Sequence, residues 1–408
     1  MNVLLVEPAF PSRKSRNHHL RVPVGLLKIG AYLKAKGDNV MFIRMSDYDF
    51  TEVLDFSPEY IMITSLYSYY SEYVADAVKE LRMLLPTVEI EVGGIFASLE
   101  PDLCKEVTGC DRIHQGVYCE AEEYLPDYSL MDEDIDFQII HTSRGCNRTC
   151  MFCGVNTIEP RFTYKKSIKD EVFKKKIVFY DNNLLANPYI EDILNELIAL
   201  RKDKKINYCE SQSGFDGRIL KQKPYLAKLL YQAGFKNPKI AWDNDMNGKK
   251  SFIQQIEILE QGGYKRYDMG VFMLYNHDLP YIELEKKRVV CWEQRIQIMD
   301  CRYRPYTQVF DNYNARSKKP QTNKDYFIHP NWTDKEVKSF RRNVRQQNIC
   351  IRYRKDYYSY QVWGKKISEE LRKKCFELSY AEVKDIVDDA WNPSVIHPVH
   401  NDMTLDNF

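Results

Sequence analysis

The chain has 408 residues, 44% of them hydrophobic and 29% charged, a balance that supports two or three packed units and excludes a wholly disordered protein. No run approaches the roughly 18 consecutive apolar residues of a membrane-spanning helix, so no membrane partner is expected. The formal net charge of +1 excludes a chain-wide polycation or polyanion, and charge has to be read locally.

The opening Met1-Asn2-Val3-Leu4-Leu5-Val6-Glu7-Pro8 is a short buried-strand pattern without the basic region, apolar core and cleavage site of a secretory signal, and a cytoplasmic location is expected. Eleven cysteines, an odd number without an export signal, argue for reduced thiols over a disulfide framework. Residues 3–6 form a predicted strand, 25–36 a helix closed by Gly37, 40–44 a strand, 60–64 a strand, 71–85 a helix, and 88–92 a strand that runs into Gly93-Gly94. This alternation predicts an α/β fold, a Rossmann-like doubly wound parallel sheet over residues 1–125 with any ligand at the strand carboxyl ends. The acidic, Pro126-containing stretch 126–138 reads as a linker.

From residue 139 the alternation resumes. Strands are predicted at 138–141, 176–180, 206–210, 239–242, 268–274 and 297–301, with helices at 189–201, 225–233 and 251–260 among the crossovers. Six βα units fall short of the eight of a closed barrel and predict an open, partial (β/α)6 barrel over 139–312. Its first strand ends at Thr142-Ser143-Arg144-Gly145-Cys146-Asn147-Arg148-Thr149-Cys150-Met151-Phe152-Cys153-Gly154, three cysteines spaced CxxxCxxC. Three thiolates hold three corners of an iron–sulfur cubane and leave one iron open to a chelating ligand. A zinc site with a distant fourth ligand is the competing reading, although zinc modules more often pair their cysteines in CxxC knuckles. Polar residues follow the next three strands, Asp181-Asn182-Asn183, Ser211-Gln212-Ser213 and Trp242-Asp243-Asn244, at the ends where barrels place their chemistry. Asp216 and Arg218 could join these groups at the site or, as a plainer reading of equal weight, cap the next helix and pair on its surface.

Residues 313–408 form a C-terminal extension. Between 314 and 374, 17 Lys or Arg stand against 6 Asp or Glu, a local excess of +11. Tyr326, Phe327, Trp332, Phe340, Tyr353, Tyr357, Tyr358, Tyr360 and Trp363 are interleaved with these charges, a pattern that suits a single-stranded or flipped-out nucleic acid. The plainer reading is an amphipathic helix over 332–346, capped by Thr333, with its basic face in solvent. Cys301, Arg302, Arg304, Asn312, Tyr313, His329 and His397 are further candidates for lining a substrate pocket. Past Glu377 the tail turns acidic.

Cys146, Cys150, Phe152 and Cys153 match CxxxCxΦC, with Φ aromatic, in full, and over residues 139–305 the chain resembles the radical S-adenosylmethionine (SAM) superfamily. The resemblance implies a 4Fe-4S cluster on the three cysteines and SAM on its open iron. An electron from a donor such as flavodoxin or ferredoxin then yields a 5′-deoxyadenosyl radical that abstracts hydrogen from substrate. It further implies SAM contacts from Phe152, from Asp181, Asn182 and Asn183 in place of the family's usual Gly-Gly-Glu, and from Ser211, Gln212, Ser213, Trp242 and Asp243.

The first 125 residues resemble the cobalamin-binding domain that precedes the barrel in one class of that superfamily. The matching pieces are Arg21-Val22-Pro23-Val24-Gly25-Leu26-Leu27, Ser65 with Ser68, Gly93-Gly94 and Leu125-Pro126-Asp127-Tyr128-Ser129-Leu130. Pro23, Gly25, Ser65, Gly93 and Gly94 are thereby implied in cobalamin binding. The DxHxxG histidine signature is absent and His18-His19 stand elsewhere, so no protein imidazole on cobalt is implied; Tyr67, Tyr69, Tyr70 and Tyr73 would crowd or contact a corrin face. The implied function is cobalamin-dependent methyl transfer to carbon. The alternatives are a cobalamin-free radical SAM isomerase, lyase or decarboxylase, with a nucleic acid among the possible substrates, and a non-catalytic zinc-containing nucleic-acid-binding protein.

Overall fold

Val3, Leu4, Leu5 and Val6 are all buried because strand β1 (Asn2–Glu7) lies inside a parallel sheet with helices on both faces. A computed structural model describes residues 1–11 and 22–352. The first elements are β1, α1 (Val24–Ala35), β2 (Asn39–Arg44), α2 (Phe50–Phe56), β3 (Tyr60–Ser65), α3 (Ser71–Leu84), β4 (Glu89–Gly94), α4 (Ile95–Leu99), α5 (Pro101–Thr108) and β5 (Arg112–Ile113). Their strands pair in parallel in the order β2-β1-β3-β4-β5, so the chain reverses its winding between β1 and β3. That switch point opens a crevice at the strand carboxyl ends. The pleat divides β1 between two cores: Val3 and Leu5 pack with Leu26 and Leu33 of α1, while Leu4 and Val6 join Val74, Val78 and Leu81 of α3.

Two compact units divide the chain, one of Met1–Ser213 with Arg304–Tyr313 and Asp325–Phe327, the other of Gly214–Tyr303, Asn314–Lys324 and the residues from Ile328 onward. The stretch read as a linker is packed into the first unit. Met131 and Ile135 are buried with Val22, Leu27, Phe137, Ile139 and Val178, and the Asp127 amide donates to the Leu27 carbonyl at 3.1 Å. Beyond it come β6 (Phe137–Ile140), β7 (Ser143–Arg144), α6 (Val155–Ile158), β8 (Thr163–Tyr164), β9 (Lys176–Phe179), α7 (Ile190–Lys202) and β10 (Tyr208–Ser211). β6, β9 and β10 form a parallel sheet with β9 central, and β7 pairs antiparallel with β8.

The second unit holds α8 (Gly217–Gln222), α9 (Leu226–Ala233), β11 (Lys239–Ala241), α10 (Lys249–Gln261), β12 (Gly270–Tyr275), α11 (Tyr281–Glu293), β13 (Gln297–Arg302) and α12 (Asp334–Arg352). β11, β12 and β13 make a second three-stranded parallel sheet. All six strands expected after residue 137 are therefore present, but they pair as two sheets of three and not as the single sheet of a partial barrel. In the second unit β11 is only three residues long, and the Phe215 amide gives the Lys239 carbonyl one hydrogen bond of 2.7 Å where a strand would give a ladder. α12 begins at the expected cap as a reciprocal capping box: the Glu336 carboxylate accepts from the Thr333 amide at 2.8 Å and the Thr333 hydroxyl from the Glu336 amide at 3.3 Å. His18, His19, Arg21, His397, the acidic tail and the aromatics from Tyr353 on lie outside the described residues.

Gly94 has φ 97° and ψ −162°, a region open essentially to glycine alone, and a Cβ there would lie 2.2 Å from the Ser65 carbonyl oxygen. Gly94→Ala is expected to destabilise the first unit by about 2 kcal/mol or more, read as a lowered urea midpoint with an unchanged slope.

Candidate functional site

The segment leaving β6 closes on a buried acid. Asp181, just after β9, is 0% exposed. Its Oδ1 accepts from the Thr142 amide at 3.0 Å, the Thr142 hydroxyl at 2.6 Å, and the Ser143 amide and hydroxyl at 2.7 Å each. Burial raises the carboxyl's pKa against the pull of these donors. The Asn182 amide group donates to Glu159 at 2.8 Å and that of Asn183 to the Asn147 side-chain oxygen at 3.0 Å. Asp181 was expected to touch SAM; its carboxylate is instead committed to the root of the cysteine loop, because a buried carboxylate takes the nearest donors and Thr142 and Ser143 supply four. Asn182 and Asn183 brace the loop in the same way.

Arg144 follows. Its Nε and Nη2 donate to the two oxygens of Glu122 at 2.6 and 2.7 Å, and its Nη1 to Glu159 at 2.9 Å. Nη1 also lies 3.1 Å from His141 Nε2, an imidazole held neutral because burial and the surrounding cations push its pKa well below 6.5. Lys28 of α1, 6% exposed, reaches Glu122 at 2.9 Å. Burial raises the Glu122 pKa, but Arg144 and Lys28 outweigh it and hold the carboxyl at about 2. Gly145 turns the chain at φ 76°, its amide donating to Glu159 at 2.5 Å, and a Cβ would lie 2.6 Å from the Arg161 carbonyl oxygen.

Cys146 is half-buried, Cys150 and Cys153 are exposed, and none is in a disulfide. The Cys153 amide donates to the Cys150 carbonyl at 3.0 Å. Beyond the aromatic position the loop is held again, the Tyr306 hydroxyl donating to the Phe152 carbonyl at 2.8 Å. Among the described residues no three His, Cys, Asp or Glu side chains stand together as a metal-binding group, so the three sulfurs are not drawn together here. As donors they fit: three accessible thiols within eight residues, on a loop tied at both ends, make a ligand set suited to an iron–sulfur cluster.

Ser211 is buried, Gln212 half-buried and Ser213 exposed after β10, and the Gln212 amide donates to the Phe179 carbonyl at 2.9 Å. Residues 142–146, 181–183 and 211–213 therefore share the carboxyl edge of one sheet. Trp242 and Asp243 belong to the other unit. Trp242 is 3% exposed, stacked 4.3 Å from Phe252, with the Lys287 ammonium 5.0 Å over its ring. Lys287 also donates to the Trp242 and Asn244 carbonyls at 2.6 and 2.9 Å. The ring is thus packed as core material, and Asp243 is exposed.

At the carboxyl edge of the five-stranded sheet, Ser65 and Gly94 are spent on protein. The Ser65 hydroxyl donates to the Gly93 carbonyl at 2.7 Å and accepts from the Ala97 amide at 3.1 Å. Pro23 caps α1, its carbonyl accepting from Leu27 at 3.1 Å, and Gly25 is exposed. Tyr67 stacks on Tyr69 at 5.1 Å, Tyr69 meets Tyr70 edge-on at 4.7 Å, and Phe10 lies 5.8 Å from Tyr70. Sequence reasoning missed His114, which follows β5 beside Gly93. Its ring stacks on Tyr118 at 5.0 Å, and its Nε2 is buried without a hydrogen-bond partner. A buried ring nitrogen without a partner is uncommon, and it marks this edge as the place where the packing leaves a polar group unmet. It also missed Glu122 and Glu159, which no spacing singles out among 58 acidic residues.

The described part of the basic extension is less available than its composition implies. Tyr326, Trp332 and Phe340 are buried, so they are not stacking platforms. Burial raises the pKa of Asp300 on β13, against the pull of the Arg341 and Arg345 charges of the helix. No helix among the described residues is long and apolar enough to cross a membrane.

No family model and no curated protein matches the chain. One solved structure with a likeness is a cobalamin-binding protein from Desulfitobacterium hafniense DCB-2, at 16% identity and a TM-score of 0.20. The match covers 30% of this chain and 54% of that one, about half of that protein's length, and at this TM-score it carries no argument.

The Glu122 carboxyl has a titration consequence. Its pKa is about 2 when folded against an ordinary 4.5, so its contribution to stability is complete above pH 4.5 and is lost as pH falls toward 2. The urea midpoint of Glu122→Gln is expected to lie below wild type at about pH 6 and to approach it by about pH 3.

Proposed function

We propose that the chain is a radical SAM enzyme in which Cys146, Cys150 and Cys153 hold a 4Fe-4S cluster. The observation that carries this reading is the CxxxCxΦC loop rising from the carboxyl end of β6, braced by Asp181, Arg144 and Glu159 at its root and by Tyr306 at Phe152. When bound, the cluster and SAM supply one-electron chemistry ending in a 5′-deoxyadenosyl radical. Asp181 fixes where the loop departs. Asn182 and Asn183 hold Glu159 and Asn147, and Ser211, Gln212 and Ser213 offer polar groups on the same edge. Arg144 and Glu122 keep charge at the loop root paired and partly shielded from solvent.

For the reaction type we favour methyl transfer to carbon, with a corrinoid at the carboxyl edge of the five-stranded sheet. The β1/β3 switch point and the orphaned His114 Nε2 support a ligand there. A cobalamin-free isomerase, lyase or decarboxylase is favoured by a different observation: the Ser65 hydroxyl is satisfied by the Gly93 carbonyl and the Ala97 amide, and Gly94 is required by the close approach of the Ser65 carbonyl, so neither needs a ligand.

Anaerobically reconstituted protein is expected to carry iron and sulfide with the broad visible absorbance of a cluster. The Cys146/Cys150/Cys153 triple alanine variant should lose all three, and Cys209→Ala should keep them. Reduced protein with SAM should release 5′-deoxyadenosine by chromatography. A cluster-replete protein that binds SAM and never forms it would overturn radical chemistry. Retention of hydroxocobalamin through desalting, weakened in His114→Ala, is expected under the methyl-transfer reading; no retention by wild type moves the assignment to the cobalamin-free one.

A further inference from the structure

The partly buried charges before the first cysteine form one connected group. Only Gly145 separates Arg144 from Cys146, and the guanidinium is gripped on both sides: two nitrogens on Glu122, the third on Glu159 and His141. Glu122 stands 22 residues upstream, past the end of the five-stranded sheet, and its other partner is Lys28 of α1 at 2.9 Å. Lys28 donates as well to the Glu122 carbonyl at 3.0 Å, so the lysine holds both the backbone and the side chain of that residue. The Arg144–Glu122 pair is a two-bond fork that fixes direction as well as distance. Glu159 ties the following residue, taking the Gly145 amide at 2.5 Å. None of these groups is a ligand in the reading above, and a surface ion pair would have left them apart.

We infer that Glu122 is a positioning residue for the cysteine loop, acting through Arg144 and itself aimed by Lys28, so that the N-terminal helix α1 sets where Cys146 stands. The inference rests on the proposed cluster reading for its purpose, but not for its geometry. Neutralising Glu122 leaves Arg144 with Glu159 as its one carboxylate, beside His141, and Lys28 without its carboxylate, and the loop root is then free to open locally. Arg144→Lys keeps the charge and loses the fork, so it is expected to behave like a milder form of Glu122→Gln.

The test uses the full chain and two readouts. In the metal-free, reduced protein, alkylation of Cys146 by iodoacetamide is followed by mass spectrometry and is expected to quicken about tenfold in Glu122→Gln. In anaerobically reconstituted protein, the paramagnetic resonance g values and midpoint potential of the reduced cluster are expected to shift. Leu81→Ala, which removes a fully buried side chain of α3 far from this network, controls for lost stability and is expected to change neither. Wild-type alkylation kinetics in Glu122→Gln, or equal changes in Leu81→Ala, would overturn the inference. If wild-type protein accepts no cluster, the proposed function fails, and the alkylation rates still decide whether Glu122 positions Cys146.

Discussion

A partly buried guanidinium is best held by carboxylates fixed in place, and Arg144 obtains two from distant parts of the chain. Leaving such a charge unpaired is costly, though less so than in a dry core, and the pairing helps decide how segments meet. Glu122 comes from the end of the five-stranded sheet's region, Glu159 from beyond the cysteines, and Lys28 from α1 to balance Glu122. Four residues spread over 132 positions are thereby brought to one point, immediately before Cys146. Asp181 solves the same problem by a different route, with neutral donors from Thr142 and Ser143 and no cation in hydrogen-bonding contact. The two acids also differ in how they titrate: cations beside Glu122 push its pKa down, while burial pushes that of Asp181 up.

The strands were legible because each is an apolar run bounded by turn residues, and β1, β3 and β9 are buried nearly throughout. Their pairing was not legible, because an apolar run carries no information on which neighbour it takes; the six later strands form two sheets of three. The cysteine spacing stood out since three rare residues recur within eight positions. The residues around them did not. Asp181, Asn182 and Asn183 look from sequence like polar groups at a strand end, and only the fold reveals that the Thr142-Ser143 segment reaches Asp181 first. Trp242, Tyr326, Trp332 and Phe340 are buried, and sequence does not separate the two cases: an aromatic beside polar residues reads as a contact surface, and burial in a core leaves the same letters.

The carboxyl edge of the five-stranded sheet shows how packing narrows a ligand hypothesis without removing it. Serine and glycine at strand ends suit a cradle, yet here Ser65 bridges Gly93 and Ala97, and Gly94 is glycine because the Ser65 carbonyl lies where a Cβ would be. Both residues are explained with no ligand. His114 is different, since a buried ring nitrogen without a partner has a cost that neighbouring groups have not met.

The stretch between the two αβ arrays matters most for how they work together. Composition makes 126–138 look like a spacer, acidic and broken by proline, but Met131 and Ile135 are buried in a cluster that also contains Val22 and Leu27 of the first array and Phe137, Ile139 and Val178 of the second. Lys34 of α1 holds Asp127 at 2.7 Å, and the Tyr128 hydroxyl accepts from the Ile139 amide at 2.8 Å. Apolar contacts, a surface ion pair and the partly buried Lys28–Glu122–Arg144 chain thus act on the same junction, and the first two do not depend on charge at the loop. A flexible tether would let the sheet edge and the cysteine loop move independently. A shared core makes the position of one a property of the other, which is the condition under which a ligand at the sheet edge and a cluster on the loop would keep a fixed separation.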